Sequence, residues 1–219
     1  MAASNQRRRS ILRTFRYQKI ARSIQHKEAR ISITKWLREG QGDTAALKRV
    51  ADVIRGRMTA SDFEADQNDH NADYIEAFVT AFPTMAIPVC EMLPVAARGA
   101  VNLNGTIVVY NPDIAIARTT QKNTRKIGGV FLRYAKGKEL PEVAAEFQSA
   151  FTFGFLKDTP FEPEAEPEKK LCITIDGNTG KVFEAPGRAV YLWNEMSAAC
   201  ADIAALWPTI EPPPNAILG

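Results

Sequence analysis

Residues 100–117 read AVNLNGTIVVYNPDIAIA, and this stretch decides the fold class. Val101 and Leu103 lead into Asn104-Gly105, and Ile107, Val108, Val109 and Tyr110 follow. Asn-Gly between β-formers is a strong hairpin signal, because both residues tolerate positive φ. Asn111-Pro112-Asp113 breaks or bulges the ladder, since proline brings no backbone donor. Ile114, Ala115, Ile116 and Ala117 then resume as an apolar run. After a polar connection, residues 127–134 form another strand. Its paired Gly128-Gly129 marks a bulge or a close backbone approach.

The flanks are helical. Downstream, Pro141 opens a helix whose apolar face is Val143, Ala144, Phe147, Ala150, Phe151 and Phe155. Residues 158–170, DTPFEPEAEPEKK, read as an exposed and mobile Pro/Glu-rich linker. Residues 171–175 and 181–184 make a two-stranded unit around the turn DGNTG, and residues 188–206 a C-terminal helix ended by Trp207-Pro208. Upstream, apolar residues recur at helical spacing through residues 10–82. A glycine-bearing break lies at 39–42, and a polar, acidic stretch covers 59–73. Pro83, Pro88 and Pro94 mark an irregular connector. The expectation is an α+β (or α/β) chain: a basic helical region over 1–82, then a body over 83–219 with a mixed β-sheet flanked by helices.

The 219 residues carry a net charge of only +3, unevenly spread. Residues 1–38 hold eleven Lys/Arg against the single acid Glu28, so this arm is +10 and the remainder −7. Residues 118–138 add seven bases and no acid. Such density attracts polyanions through counterion release, with strong salt dependence. The candidate nucleic-acid-binding residues are therefore Arg7, Arg8, Arg9, Arg13, Arg16, Lys19 and Arg22 in the arm. Arg118, Lys122, Arg125, Lys126 and Arg133 form a second surface, with the first four facing solvent and Arg133 and Lys136 on the side of Asp113. The other reading is a solvated helix face, or an arm docked on acidic protein.

The order helix, hairpin, a strand bearing Pro112-Asp113, the strand 126–134 and a crossover helix containing Gln148 resembles the core of the PD-(D/E)XK nuclease superfamily, over roughly residues 74–176. The resemblance implies that Asp113 and a later acid bind Mg²⁺, with a nearby lysine orienting the attacking water; a hard cation takes such oxygen ligands. The strand KIGGVFLRY carries no acid, so the core is degenerate. Glu142 or Glu146 would stand in as a migrated acid, and Lys136 as the lysine.

Other chemistry has little support. Asp66, Asp69, His70 and Asp73 lack the ordered spacing of a calcium loop, and no phosphate-cradling glycine motif occurs. Cys90, Cys172 and Cys200 are too far apart for a zinc knuckle and odd in number, which points to reduced thiols and a cytoplasmic setting. No apolar run approaches the roughly 18–20 residues of a membrane span, so a membrane is not among the expected partners. The resulting expectation is a nucleic-acid-associated protein, of DNA before RNA, with a degenerate, inactive nuclease-like core and no cofactor. Its rivals are an active Mg²⁺-dependent nuclease using Asp113, and an assembly or adaptor protein that docks on a protein partner through its basic arm.

Overall fold

A computed structural model describes residues 5–17, 26–40, 42–93 and 98–212. Its elements are, in chain order, helices α1 (Asn5–Tyr17), α2 (Lys27–Arg38), α3 (Thr44–Arg55) and α4 (Asp62–Ala81); strands β1 (Glu91–Leu93), β2 (Gly99–Leu103), β3 (Thr106–Tyr110), β4 (Ile114–Thr119) and β5 (Arg125–Arg133); helix α5 (Glu142–Asp158); strands β6 (Glu166–Asp176) and β7 (Val182–Glu184); and helix α6 (Ala189–Leu206). The fold is α+β. None of the described helices is long and apolar enough to cross a membrane.

Five strands form one mixed sheet in the order β1-β4-β5-β6-β7. The β1/β4, β4/β5 and β6/β7 pairs are antiparallel; β5 and β6 are parallel, with α5 between them in the chain. The Asn-Gly hairpin stands apart as β2-β3, with Asn104 at φ 49° and Gly105 at φ 89°. Its turn docks on α6: the Asn104 amide donates to the Ser197 carbonyl at 2.8 Å, and the Thr106 hydroxyl to that of Cys200 at 2.8 Å.

The run Ile114-Ala115-Ile116-Ala117 is apolar throughout because both faces of the sheet are covered. Ile114 and Ile116 join Val130, Leu132, Ile173 and Ile175 in a core with α2, α3 and α4. Ala115 and Ala117 turn to the other face, against Tyr110, Phe155 and Leu192. The smaller side chains are on the face crossed by the bulky aromatics of α5. Ala29, Ile33, Trp36 and Leu37 of α2 belong to the first of these cores. The 82/83 boundary therefore marks a change of secondary structure, not of core.

The structure corrects two local expectations and specifies a third. The stretch 158–170 is no free linker: α5 runs to Asp158 and β6 begins at Glu166, with Lys126↔Glu166 and Ile127↔Pro167 in register and Ala165 buried. The connector after Pro88 contains an edge strand, β1. The acidic stretch 59–73 is largely the first half of α4, whose N-terminus is capped by the Ser61 side chain accepting from the Glu64 amide. Gly128-Gly129 is both a bulge and a close approach. The β5/β6 register shifts between Ile127 and Gly129, and Gly128 lies against the Leu171 backbone.

Candidate nucleic-acid interface

Asp113 sits between β3 and β4, where Asn111-Pro112 has ended the hairpin. Its amide donates to the Val130 carbonyl at 2.8 Å, which seats it over β5. One carboxylate oxygen accepts from Arg30 Nε at 2.8 Å, with Arg30 Nη2 at 2.6 Å; the other accepts from the Leu132 amide at 2.8 Å. Arg38 Nη2 reaches the Asp113 carbonyl at 3.2 Å. Arg30 and Arg38 both come from α2. The carboxylate is thus a clasp between α2 and the sheet. Its side chain is only 6% exposed. Burial raises its pKa above the ordinary aspartate value, against the lowering pull of Arg30 and the Leu132 amide.

Of the residues expected to join Asp113, Glu146 and Lys136 are engaged elsewhere and Glu142 faces solvent. Glu146 is paired with Arg188, ahead of α6, at 2.5 Å. Glu142 is exposed in the first turn of α5. Lys136 is paired with Asp73 of α4 at 2.6 Å. Among the described residues, no group of three or more His, Cys, Asp or Glu side chains is placed to hold a metal ion. With Asp113 buried against the positive charge of Arg30 and no further acidic side chains grouped with it among the described residues, the donor set does not fit Mg²⁺. Arg133 stands close enough to Arg30 and Asp113 to feel both charges, and its Nε donates to Gln148 at 2.6 Å.

The bases of the second basic surface are largely paired with acids of the same chain. Arg118 is paired with Glu168, and Lys126 with Glu166. Arg125 is held by Glu162 and Glu91, each at 2.8 Å. Three of these acids come from the stretch 158–170, which lies along the basic strands and neutralises them. Lys122 remains exposed and without an acid partner among the described residues.

In the arm, α1 is amphipathic and rests on the C-terminal end of α6. Leu12 is buried, Arg8 pairs with Asp202 at 2.8 Å, and Tyr17 donates to the Ile210 carbonyl at 3.1 Å. Arg16 donates to the carbonyls of Trp207 and Ile210, with its guanidinium 5.6 Å from the centre of the Trp207 ring. Arg7, Arg9 and Arg13 are on the exposed surface of α1. Lys19 and Arg22 lie outside the described residues. Lys27, Arg30, Lys35 and Arg38 contribute to the arm's charge, yet composition alone assigns them no site. Their spacing of three, five and three residues already put them along one side of a helix.

A titratable cluster closes the same end of the molecule. His26, just ahead of α2, packs edge-on to His70, Tyr74 and Tyr134 at ring distances of 6.1, 5.7 and 5.2 Å. Burial, then the charges of His70 and Arg30, lower its pKa below the ordinary histidine value, although a backbone hydrogen bond at His70 works the other way. The unfolded chain therefore binds the proton first. The stability contributed by neutral His26 is full above about pH 6.5 and is lost as pH falls from there through the folded pKa. Urea midpoints at pH 7.5 and 5.5 test this: wild type should lose more on acidification than His26→Gln. An equal loss in both proteins would refute it. The comparison cancels the opposite contribution of Asp113, which is common to both.

Comparison of the chain with models of known protein families, with curated proteins and with solved structures gives no match.

Proposed function

We propose that the chain is a cytoplasmic nucleic-acid-associated protein, with DNA the expected partner, whose nuclease-like core is a platform and not a catalyst. The observation that carries this reading is the contrast between its two basic regions. Bases of residues 118–126 are largely paired with acids of their own chain, whereas Arg9 and Arg13 of α1 face outward with no acid partner among the described residues. Outward arginines on a helix anchored from beneath suit contact with a phosphate backbone, which positions a protein without reading bases. The spent carboxylate of Asp113 supports the non-catalytic half of the reading.

The test is substitution, not truncation. Deleting residues 1–38 would remove α2 and with it Ile33, Trp36 and Leu37 of the core. Arg9→Glu/Arg13→Glu leaves the buried Leu12 and the Arg8–Asp202 pair in place. Binding to a duplex oligonucleotide, followed by fluorescence anisotropy across a salt series, should weaken more than tenfold at about 0.1 M salt. The slope of log K against log salt should shrink by roughly 2, at about 0.9 for each phosphate that the arm no longer neutralises. Wild-type protein that shows no salt-dependent binding would overturn the proposal. It would favour docking of the arm on an acidic protein, for which the Arg8–Asp202 contact is the internal precedent.

A further inference from the structure

The side of α2 that carries Arg30 and Arg38 forms one wall of a groove of about 360 Å³. The opposite wall is Arg98, just ahead of β2, and the turn 111–113 between β3 and β4. Among the described residues, five cations line this groove: Lys27, Arg30, Lys35, Arg38 and Arg98. One acid does, Asp113, and both of its oxygens are already bound by Arg30 and the Leu132 amide. Lys35 has only a loose, exposed partner in Glu39, at 3.8 Å. Lys27 and Arg98 have no acid partner among the described residues.

Two features distinguish this groove from a solvated basic face. Arg38 is held in position by the Asp113 carbonyl at 3.2 Å, while its buried Nε has no hydrogen-bond partner among the described residues. That Nε is closed to a ligand, but a guanidinium fixed at one terminal nitrogen and lining the groove keeps further terminal donors for an anion. Thr34, only 9% exposed, lies between Arg30 and Arg38 on the lining and adds a neutral hydroxyl to the same wall. The lining comes from three separate parts of the chain, α2, the approach to β2 and the β3–β4 turn, so folding assembles the groove. Among the described residues its apolar lining is Ile31 and Pro112, with no aromatic ring on which a base could stack. The recognised chemistry is therefore charge and oxygen acceptors.

We infer that the groove between α2 and the 111–113 turn is an anion site that seats phosphate groups, with Arg38 and Arg98 on opposite walls and Lys27 at one end. Asp113 acts within it as a positioning residue, because it fixes Arg30 through its carboxylate and Arg38 through its carbonyl. This goes beyond the reading of α1, and it holds whether the phosphate belongs to a polynucleotide backbone or to a small phosphate ester. Excess positive charge in a groove focuses the field and concentrates counter-anions there.

The test uses the full chain and two probes, pyrophosphate and a short single-stranded oligonucleotide. The variant is Lys27→Gln/Arg98→Gln, at two side chains outside the core; an unchanged thermal midpoint confirms that it is folded. Titration calorimetry should show pyrophosphate binding to wild type and a loss of about tenfold or more in the variant, since both substitutions remove charge-assisted hydrogen bonds. Arg98→Lys, which keeps the charge but not the fork, should fall between the two. If oligonucleotide binding weakens in parallel, the groove holds backbone phosphates. If only pyrophosphate binding weakens, the site serves small phosphate esters, and the proposal stands even if oligonucleotide binding through α1 fails its own test. Absence of pyrophosphate binding to wild type, or equal binding to the variant, would overturn the assignment whatever the oligonucleotide does.

Discussion

Asp113→Ala is expected to destabilise the protein by about 2 kcal/mol, between the ranges for exposed and buried ion pairs, because Asp113 is buried while the Arg30 side chain is 39% exposed. The substitution leaves Arg30 without its counter-charge and the Leu132 amide without an acceptor, and it releases α2 from the edge of β4 and β5. Asp113→Asn separates charge from hydrogen bonding. Its amide oxygen can still accept from Leu132, so its cost should be smaller, about 1 kcal/mol. Burial itself disfavours the Asp113 carboxylate: with its pKa raised, the folded state retains a proton that the unfolded chain has released. The contribution of the ionised group to stability therefore falls as pH rises through that window. Urea unfolding of the three proteins at pH 7 checks the order wild type, Asn, Ala. The same proteins with Mg²⁺ or Mn²⁺ and a DNA substrate should show no cleavage that depends on Asp113. Metal-dependent cleavage lost in Asp113→Asn, a folded protein, would install the nuclease reading in place of the one proposed.

Gly128→Ala should have a larger effect, about 3 kcal/mol or more. Gly128 lies at the slip in register between β5 and β6, and a Cβ there would overlap the Leu171 carbonyl. The obstacle is backbone of a buried central strand, with Leu171 wholly buried, so no side chain can swing aside to relieve it. Such a clash belongs with the large destabilisations. Gly187→Ala is the control: nothing lies within 4 Å of the added carbon, and its effect should stay within about 0.5 kcal/mol. Thermal unfolding of both variants beside wild type measures the difference. A Gly128→Ala protein with an unchanged midpoint would mean that β5 and β6 are not paired as described.

The parts of the molecule legible in its sequence are those whose causes are local. Asn104-Gly105 makes its own turn, because both residues adopt positive φ whatever surrounds them. The unbroken Ile114–Ala117 run reports its burial directly, whereas the apolar face read for α5 holds only in part: Ala150 and Phe155 are buried, but Val143 is 60% exposed. Gly128-Gly129 announced a close approach, though not the Leu171 carbonyl that requires it. Where composition and partner disagree, local reading fails. Glu166-Pro167-Glu168-Lys169-Lys170 resembles a linker, yet it is a strand because β5 lies alongside and Arg118 and Lys126 take its carboxylates.

The arm's excess of charge is a property of the chain, and folding does not change it. Which charges stay available is a matter of distance in space. Arg30 meets Asp113 across 83 positions of sequence, Arg118 meets Glu168 across 50, and Arg8 meets Asp202 across 194. Propensity and periodicity act over a few residues and carry no information about such partners. Asp113 illustrates the division. The nuclease resemblance implied a metal ligand, while in the folded chain its oxygens accept from donors of two distant segments, Arg30 and the Leu132 amide, and so tie a helix to a sheet.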